Sequence, residues 1–291
     1  MSSRHQKASG HRLRNRIAAG STAVVAAAGI AVGAVAVSDN GAQQAQADGG
    51  RAVLVGDSLP ANPDIYNYAA GKGLPLPDPI LSRTGCGTDN RFRDAIASGS
   101  GQNVQNYTCA GASYRTGGAH VIDQVNQAAA NGDVNGATVY MLAGTNDTYP
   151  YILNDHMPVP EIQNNLKNSI ADAVRAAKNA GAADVKVVGM PHITNAAGEV
   201  CAINLIPGVQ VPTFGIDVAN VEWALEQAGI DGANEGGGRF VSLKGPSDGH
   251  EMCAPDRFIV GLIDTTSGRR NLPLHMTDEG HAVLGAFAGR A

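Results

Sequence analysis

A chain of 291 residues, 43% hydrophobic and only 16% charged, is long enough to bury a large core and too apolar for a disordered chain. Its formal charge of −5 excludes the basic balance on which nucleic-acid and anionic-membrane binding depend. No internal repeat of fixed period occurs, which excludes solenoids and propellers.

The first fifty residues differ from the rest. Arg4, Lys7, Arg12, Arg14 and Arg16 make a basic opening, an uncharged Ala/Val/Gly-rich run follows from Ile17 to Val37, and a polar spacer ends in Ala45-Gln46-Ala47. That order is the one signal peptidase reads, so residues 1–47 are expected to be a signal peptide cleaved after Ala47. The competing reading is an uncleaved N-terminal anchor in the cell envelope, because 21 uncharged residues reach across a bilayer. Its Gly and Ala content makes a weak span, and the Ala-Gln-Ala site favours cleavage and an extracellular protein. Residues 48–291 then carry 16 basic and 25 acidic side chains, a formal −9. Neither nucleic acid nor, once the leader is gone, a membrane is an expected stable partner.

Export makes the four cysteines legible. Cys86, Cys109, Cys201 and Cys253 are an even number in an oxidising compartment, and none of their spacings is a zinc pattern. Two disulfides are expected, with no metal or other cofactor. Three pairings are open, of which Cys86–Cys109 with Cys201–Cys253 is the local one.

Along the chain, Ala52–Val55 is a short apolar run ending at Gly56-Asp57-Ser58, as a buried strand should. Further strands are predicted over 137–143, ending at Gly144-Thr145-Asn146-Asp147, over 185–190, and over 240–243. Between them, Ile162, Leu166, Ile170 and Val174 recur at four-residue steps, the stripe of an amphipathic helix over 160–180. Shorter helices are predicted over 120–130 and 216–228. A last one runs over 278–288, with Thr277 as N-cap and Asp278 and Glu279 in its first turn. Strands alternating with helices imply an α/β fold, three α/β/α layers around a parallel sheet. Its active site then lies at the carboxyl ends of the strands. Segments 59–90 and 244–276 read as long Gly/Pro-rich loops, and cysteines in or beside them suggest covalent pinning.

Gly-Asp-Ser alone is a weak signal, more often a turn than a nucleophile. The G-x-S-x-G elbow of the α/β-hydrolases is absent. Four segments read in order say more. Val55-Gly56-Asp57-Ser58-Leu59, Cys109-Ala110-Gly111-Ala112-Ser113, Gly144-Thr145-Asn146-Asp147 and Leu274-His275-Met276-Thr277-Asp278-Glu279-Gly280-His281 resemble the four blocks of the SGNH (GDSL-like) hydrolases. The resemblance spans residues 51–290 and implies a flavodoxin-like hydrolase fold and a serine esterase or lipase. Gly249-His250-Glu251-Met252-Cys253 is similar to a loop of secreted, disulfide-bearing members that act on lipid or simple acyl esters, which implies a Cys201–Cys253 staple.

The roles implied are those of acyl transfer. Ser58 attacks the ester carbonyl after His275 takes its proton. The backbone N–H of Ser58, the backbone N–H of Gly111 and the side-chain amide of Asn146 form the oxyanion hole. Glycine suits position 111 if the backbone must approach closely, and position 146 needs an amide because a carboxylate cannot donate. Two departures stand out. Leu272 occupies the place of the family's Asp, three residues before the base, and Met276 replaces a Pro. Either a backbone carbonyl orients His275, or the base is His281, at the end of a literal D-x-x-H; the helical pattern makes His281 a packed or capping residue. The remaining histidines, His120, His156, His192 and His250, read as surface or loop residues. Beside the esterase stand two alternatives, an acyltransferase with the same nucleophile and a non-catalytic cell-wall or carbohydrate-binding protein on the same scaffold.

Overall fold

The computed structural model describes residues 50–213, 217–267 and 272–291. The signal-peptide reading of residues 1–47 lies outside them.

The chain opens with β1 (Arg51–Gly56) and turns into a single-turn helix α1 (Ser58–Ala61), then α2 (Ile65–Gly71) and α3 (Arg91–Ser100). Next come β2 (Asn103–Asn106), α4 (Val121–Ala130) and β3 (Thr138–Leu142), followed by α5 (Tyr149–Leu153), α6 (Val159–Asn179) and β4 (Asp184–Val188). A hairpin of β5 (Val200–Ile206) and β6 (Val209–Thr213) precedes α7 (Val218–Gly236) and β7 (Arg239–Val241). The chain finishes with α8 (Lys244–Ser247), β8 (Ile263–Asp264) and α9 (Asp278–Arg290).

The main sheet has strand order β2-β1-β3-β4-β7, and every pair in it is parallel. Alternation along β1 explains the layers. Val53 and Val55 point to one face, where Val121 and Val125 of α4 and Leu166 and Ile170 of α6 close over them. Ala52 and Leu54 point to the other, against Phe92 and Ile96 of α3 and Leu284 of α9. Both faces are covered, which is why the strands read as continuous apolar runs rather than alternating ones. A separate three-stranded sheet, β6-β5-β8, stands outside this sandwich; β5 is antiparallel to β6 and parallel to β8.

The predicted strands and helices are all present, with ends displaced by a few residues. The helix expected over 216–228 runs on to Gly236 through three glycines, since packing on α6 overrides their poor propensity. The expected loops are less irregular than their composition suggests: 59–90 holds α1 and α2, and 244–276 holds α8 and β8. β2 went unpredicted because Asn-Val-Gln-Asn is a polar edge strand with only one apolar residue. Both disulfides of the local pairing are formed, Cys86–Cys109 and Cys201–Cys253. No helix among the described residues is long and apolar enough to cross a membrane.

Candidate active site

The site begins where β1 stops. A Cβ on Gly56 would lie 2.1 Å from the Leu142 carbonyl oxygen, so only glycine lets β1 and β3 run this close. Gln124 of α4 clamps the same residue, accepting from its N–H at 2.7 Å and donating to its carbonyl at 2.9 Å. Asp57 then caps α1, its Oδ1 accepting from the Leu59 N–H at 2.8 Å. Burial raises its carboxyl to about 7; the Leu59 N–H opposes that rise and the neighbouring Asp147 charge adds to it. Ser58 is the first residue of α1, where a backbone N–H has no partner within the helix.

The segment after β3 supplies the amide. Asp147 accepts from the N–H groups of Tyr114, Arg115 and Thr116 at 2.7, 2.9 and 3.1 Å, and from the Thr116 hydroxyl at 2.9 Å. One carboxylate thus ties the turn after β3 to the segment that follows β2. Asn146, next to it, donates one N–H to the Ala112 carbonyl at 2.7 Å while its Oδ1 faces the Tyr149 hydroxyl at 3.4 Å. That fixes the amide plane and leaves its second N–H available. Gly111, one residue from that carbonyl, is solvent-exposed with φ +86°, and nothing lies within 4 Å of where a Cβ would be. The glycine therefore answers a left-handed backbone rather than the close approach expected from the sequence.

His275 sits in a turn braced from both sides. Leu274 donates to Val260 O at 3.1 Å, Val260 donates to His275 O at 2.8 Å, and Leu274 itself is left-handed at φ +63°. A branched side chain at such a φ is an outlier that needs this surrounding support. The brace is anchored by a buried ion pair. Arg257 reaches Asp264 through Nε at 3.0 Å and Nη2 at 2.7 Å. Burial works against the Asp264 charge, but Arg257 and the N–H groups of Thr266 and Gly261 hold its carboxyl at about 2.

Among the described residues, no acid is hydrogen-bonded to or ion-paired with the ring of His275. Its Nδ1 lies 2.7 Å from the Pro273 carbonyl oxygen, so with the proton on Nδ1 the ring donates there and Nε2 carries the lone pair. Burial depresses its pKa below the usual imidazole value, the Pro273 carbonyl partly opposes this, and His281 adds to the depression. His281 is a different residue altogether. It is fully buried in α9, with Nδ1 2.9 Å from Thr277 O and Nε2 3.2 Å from Leu59 O. Both of its nitrogens face carbonyls, and burial lowers its pKa despite the Asp89 charge. Thr277 caps α9 as expected, accepting from the Gly280 N–H.

Ser58, Asn146 and His275 line one cavity of about 720 Å³. Its walls are mostly apolar, among them Ile152, Met190, Val221, Leu225 and Ile259. The sequence reading did not find its second carboxylate, Glu222. That side chain is buried between Lys244, the His192 ring at 3.4 Å and the N–H groups of Ile193 and Thr194 at 3.1 Å. Burial opposes its charge, yet Lys244 and the N–H and hydroxyl of Thr194 keep its pKa below the ordinary value. With its oxygens so occupied, Glu222 pins the loop after β4 to α7. No spacing in the sequence marks Glu222 or the Gln124 clamp, because their partners lie on distant elements. No cluster of three or more His, Cys, Asp or Glu that could hold a metal ion occurs among the described residues.

A parallel five-stranded sheet between two layers of helices is the SGNH-hydrolase fold. Two solved structures from Streptomyces share it. An extracellular lipase from Streptomyces rimosus superposes with a TM-score of 0.53 at 15% identity, covering 81% of this chain and 97% of that one. Phospholipase A1 from Streptomyces albidoflavus NA297 superposes with a TM-score of 0.50 at 17% identity, covering 82% and 98%. No family model and no curated protein sequence matches the chain.

Proposed function

We propose that this chain is a secreted serine hydrolase of carboxylic esters, working through an acyl-enzyme on Ser58 with His275 as general base. The Ser58 Oγ proton passes to His275 Nε2 as the Oγ–carbon bond forms and the carbonyl π pair moves to oxygen. The Ser58 and Gly111 N–H groups and the free N–H of Asn146 stabilise that oxyanion. The protonated His275 then gives its proton to the leaving alkoxide as the carbon–oxygen bond breaks. Water, activated by the same ring, repeats the sequence to release the acid and restore Ser58.

The observation that carries this reading is the shared cavity. Ser58 and His275 line it together, and the Pro273 carbonyl stands on Nδ1 where the family's Asp would. A carbonyl orients the ring and selects its tautomer without adding a full negative charge. The two disulfides support export, and with it removal of residues 1–47 as a signal peptide.

The test is turnover of p-nitrophenyl esters together with labelling by a fluorophosphonate. Wild type should hydrolyse the esters and take one label, lost in Ser58→Ala. A folded wild-type chain that neither turns over nor labels would leave the non-catalytic reading in possession. Turnover that shifts to ester synthesis when an alcohol is supplied would favour the acyltransferase.

A further inference from the structure

The small sheet breaks a rule that the main sheet obeys. A sheet with one covered face ordinarily turns polar residues outward. Here β5 turns Val200 and Ala202 to the cavity, yet its other side chains in contact with solvent are also apolar. The register sets Ile263 of β8, Ile203 of β5 and Val211 of β6 side by side, all three exposed. At the hairpin end Ile206 pairs with Val209 across Pro207-Gly208, and Leu205, Ile206, Val209 and Val211 are each at least half exposed. No charged residue occurs from 200 to 213.

This face runs into the mouth of the cavity. Leu262, next to Ile263, lines the cavity and is about half exposed, as are Leu274, Tyr149 and Leu153. The acidic side chains of the lining, Asp57 and Glu222, are by contrast buried. An entering molecule therefore meets an uncharged, apolar rim flanked by an uncharged, apolar hairpin. A patch of this kind marks an interaction surface.

We propose that the β5–β6 hairpin and this rim seat the protein on a lipid surface without net charge, so that an ester passes from the lipid into the cavity without crossing water. The lipid as the source of the ester rests on the hydrolase reading above; the docking itself does not. Three observations select the occupant. Continuity of the hairpin with the cavity mouth places the lipid where substrate must enter. The chain is acidic and the patch uncharged, so attraction to anionic headgroups has no basis. A second copy of the chain adding to edge strand β6 is opposed by Pro212, which has no N–H to give to a strand ladder.

The test uses chain purified after export, carrying Ser58→Ala so that no lipid is consumed, in co-flotation with phosphatidylcholine vesicles. The Ser58→Ala chain should float with the vesicles at low and high salt alike. Adding Ile206→Ser and Val209→Ser, both exposed and outside the cavity, should lower the partition about tenfold or more. With Ser58 restored, the same double substitution should leave turnover of a short soluble ester within about twofold and slow hydrolysis of vesicle-borne ester about tenfold. Absence of flotation, or equal flotation of both chains, overturns the proposal. So does a wild-type dimer in sedimentation that the double substitution dissolves while vesicles go unbound, which would assign the face to a second copy. Flotation lost on the double substitution, together with a folded chain retaining Ser58 that neither turns over esters nor labels there, would uphold the docking surface and sink the hydrolase reading instead.

Discussion

The turn carrying His275 and the first turns of α9 carrying His281 adjoin in sequence, and their histidines have opposite surroundings. His275 lines the cavity, with one nitrogen on the Pro273 carbonyl and the other free to trade a proton. His281 lies at zero exposure with both nitrogens on carbonyls, one of them that of Leu59, the neighbour of Ser58. In the proposed mechanism two imidazoles of the same intrinsic chemistry serve proton transfer and packing according to what each ring nitrogen faces. A base needs an unoccupied nitrogen at the site; a strut needs both occupied.

The sharpest way to break that contrast is to remove each ring. Ser58→Ala and His275→Ala should each lower kcat/KM on a p-nitrophenyl ester by about 10⁶-fold, as loss of a nucleophile or its base does elsewhere. A folded His281→Ala chain should lose far less. If His281→Ala instead matches Ser58→Ala while His275→Ala stays active, the base has been misassigned. Asn146→Ala comes next and should cost about 10²–10³ in kcat with the fold intact, the usual cost of one oxyanion donor. Only its amide matters to this estimate, so Asn146→Asp should do no better.

Smaller effects sharpen the other side. The neutral ring can donate to only one of the Leu59 and Thr277 carbonyls, and Thr277 O keeps the backbone N–H of residue 281, so His281→Ala removes one buried hydrogen bond and should lower stability by about 1–3 kcal/mol, read in denaturant unfolding. Acidity gives the last two measurements. His275 acts as a base only when neutral, and its pKa is depressed by burial. The acid limb of kcat/KM should therefore fall below the ordinary imidazole value of 6.5, and a limb above it would contradict the buried setting. Asp57 runs the opposite way. The folded chain keeps up to about 7 a proton that the unfolded chain releases near 3.8. Wild type should then lose stability as pH rises between these values and hold level above them. Asp57→Asn, which keeps the capping oxygen, should melt with wild type at pH 4 and at a higher temperature at pH 8.

Much of this architecture was legible before any coordinates. The buried strands are continuous apolar runs, the long α6 has its four-residue stripe, and β1 and β3 end where the polar motifs lie. Ser58, Asn146 and His275 stood out because each follows or precedes such an element at a recognisable motif. β2, α2 and the β5–β6–β8 sheet did not, because short or edge elements are stabilised by what packs on them and carry little periodicity of their own.

The sequence by itself therefore determined the layered sheet, the places of Ser58 and Asn146 just after its strands, and the fact that no Asp stands at 272. Hydrophobic period and local turn chemistry are written residue by residue, so these features survive without a fold. Only the tertiary structure decided what replaces that Asp, which histidine has a free nitrogen, and which glycine serves conformation rather than contact. Those answers depend on the Pro273, Thr277 and Leu59 carbonyls and on open space beside Gly111. Backbone carbonyls are the same in every residue, and where they point is settled only when the chain has folded.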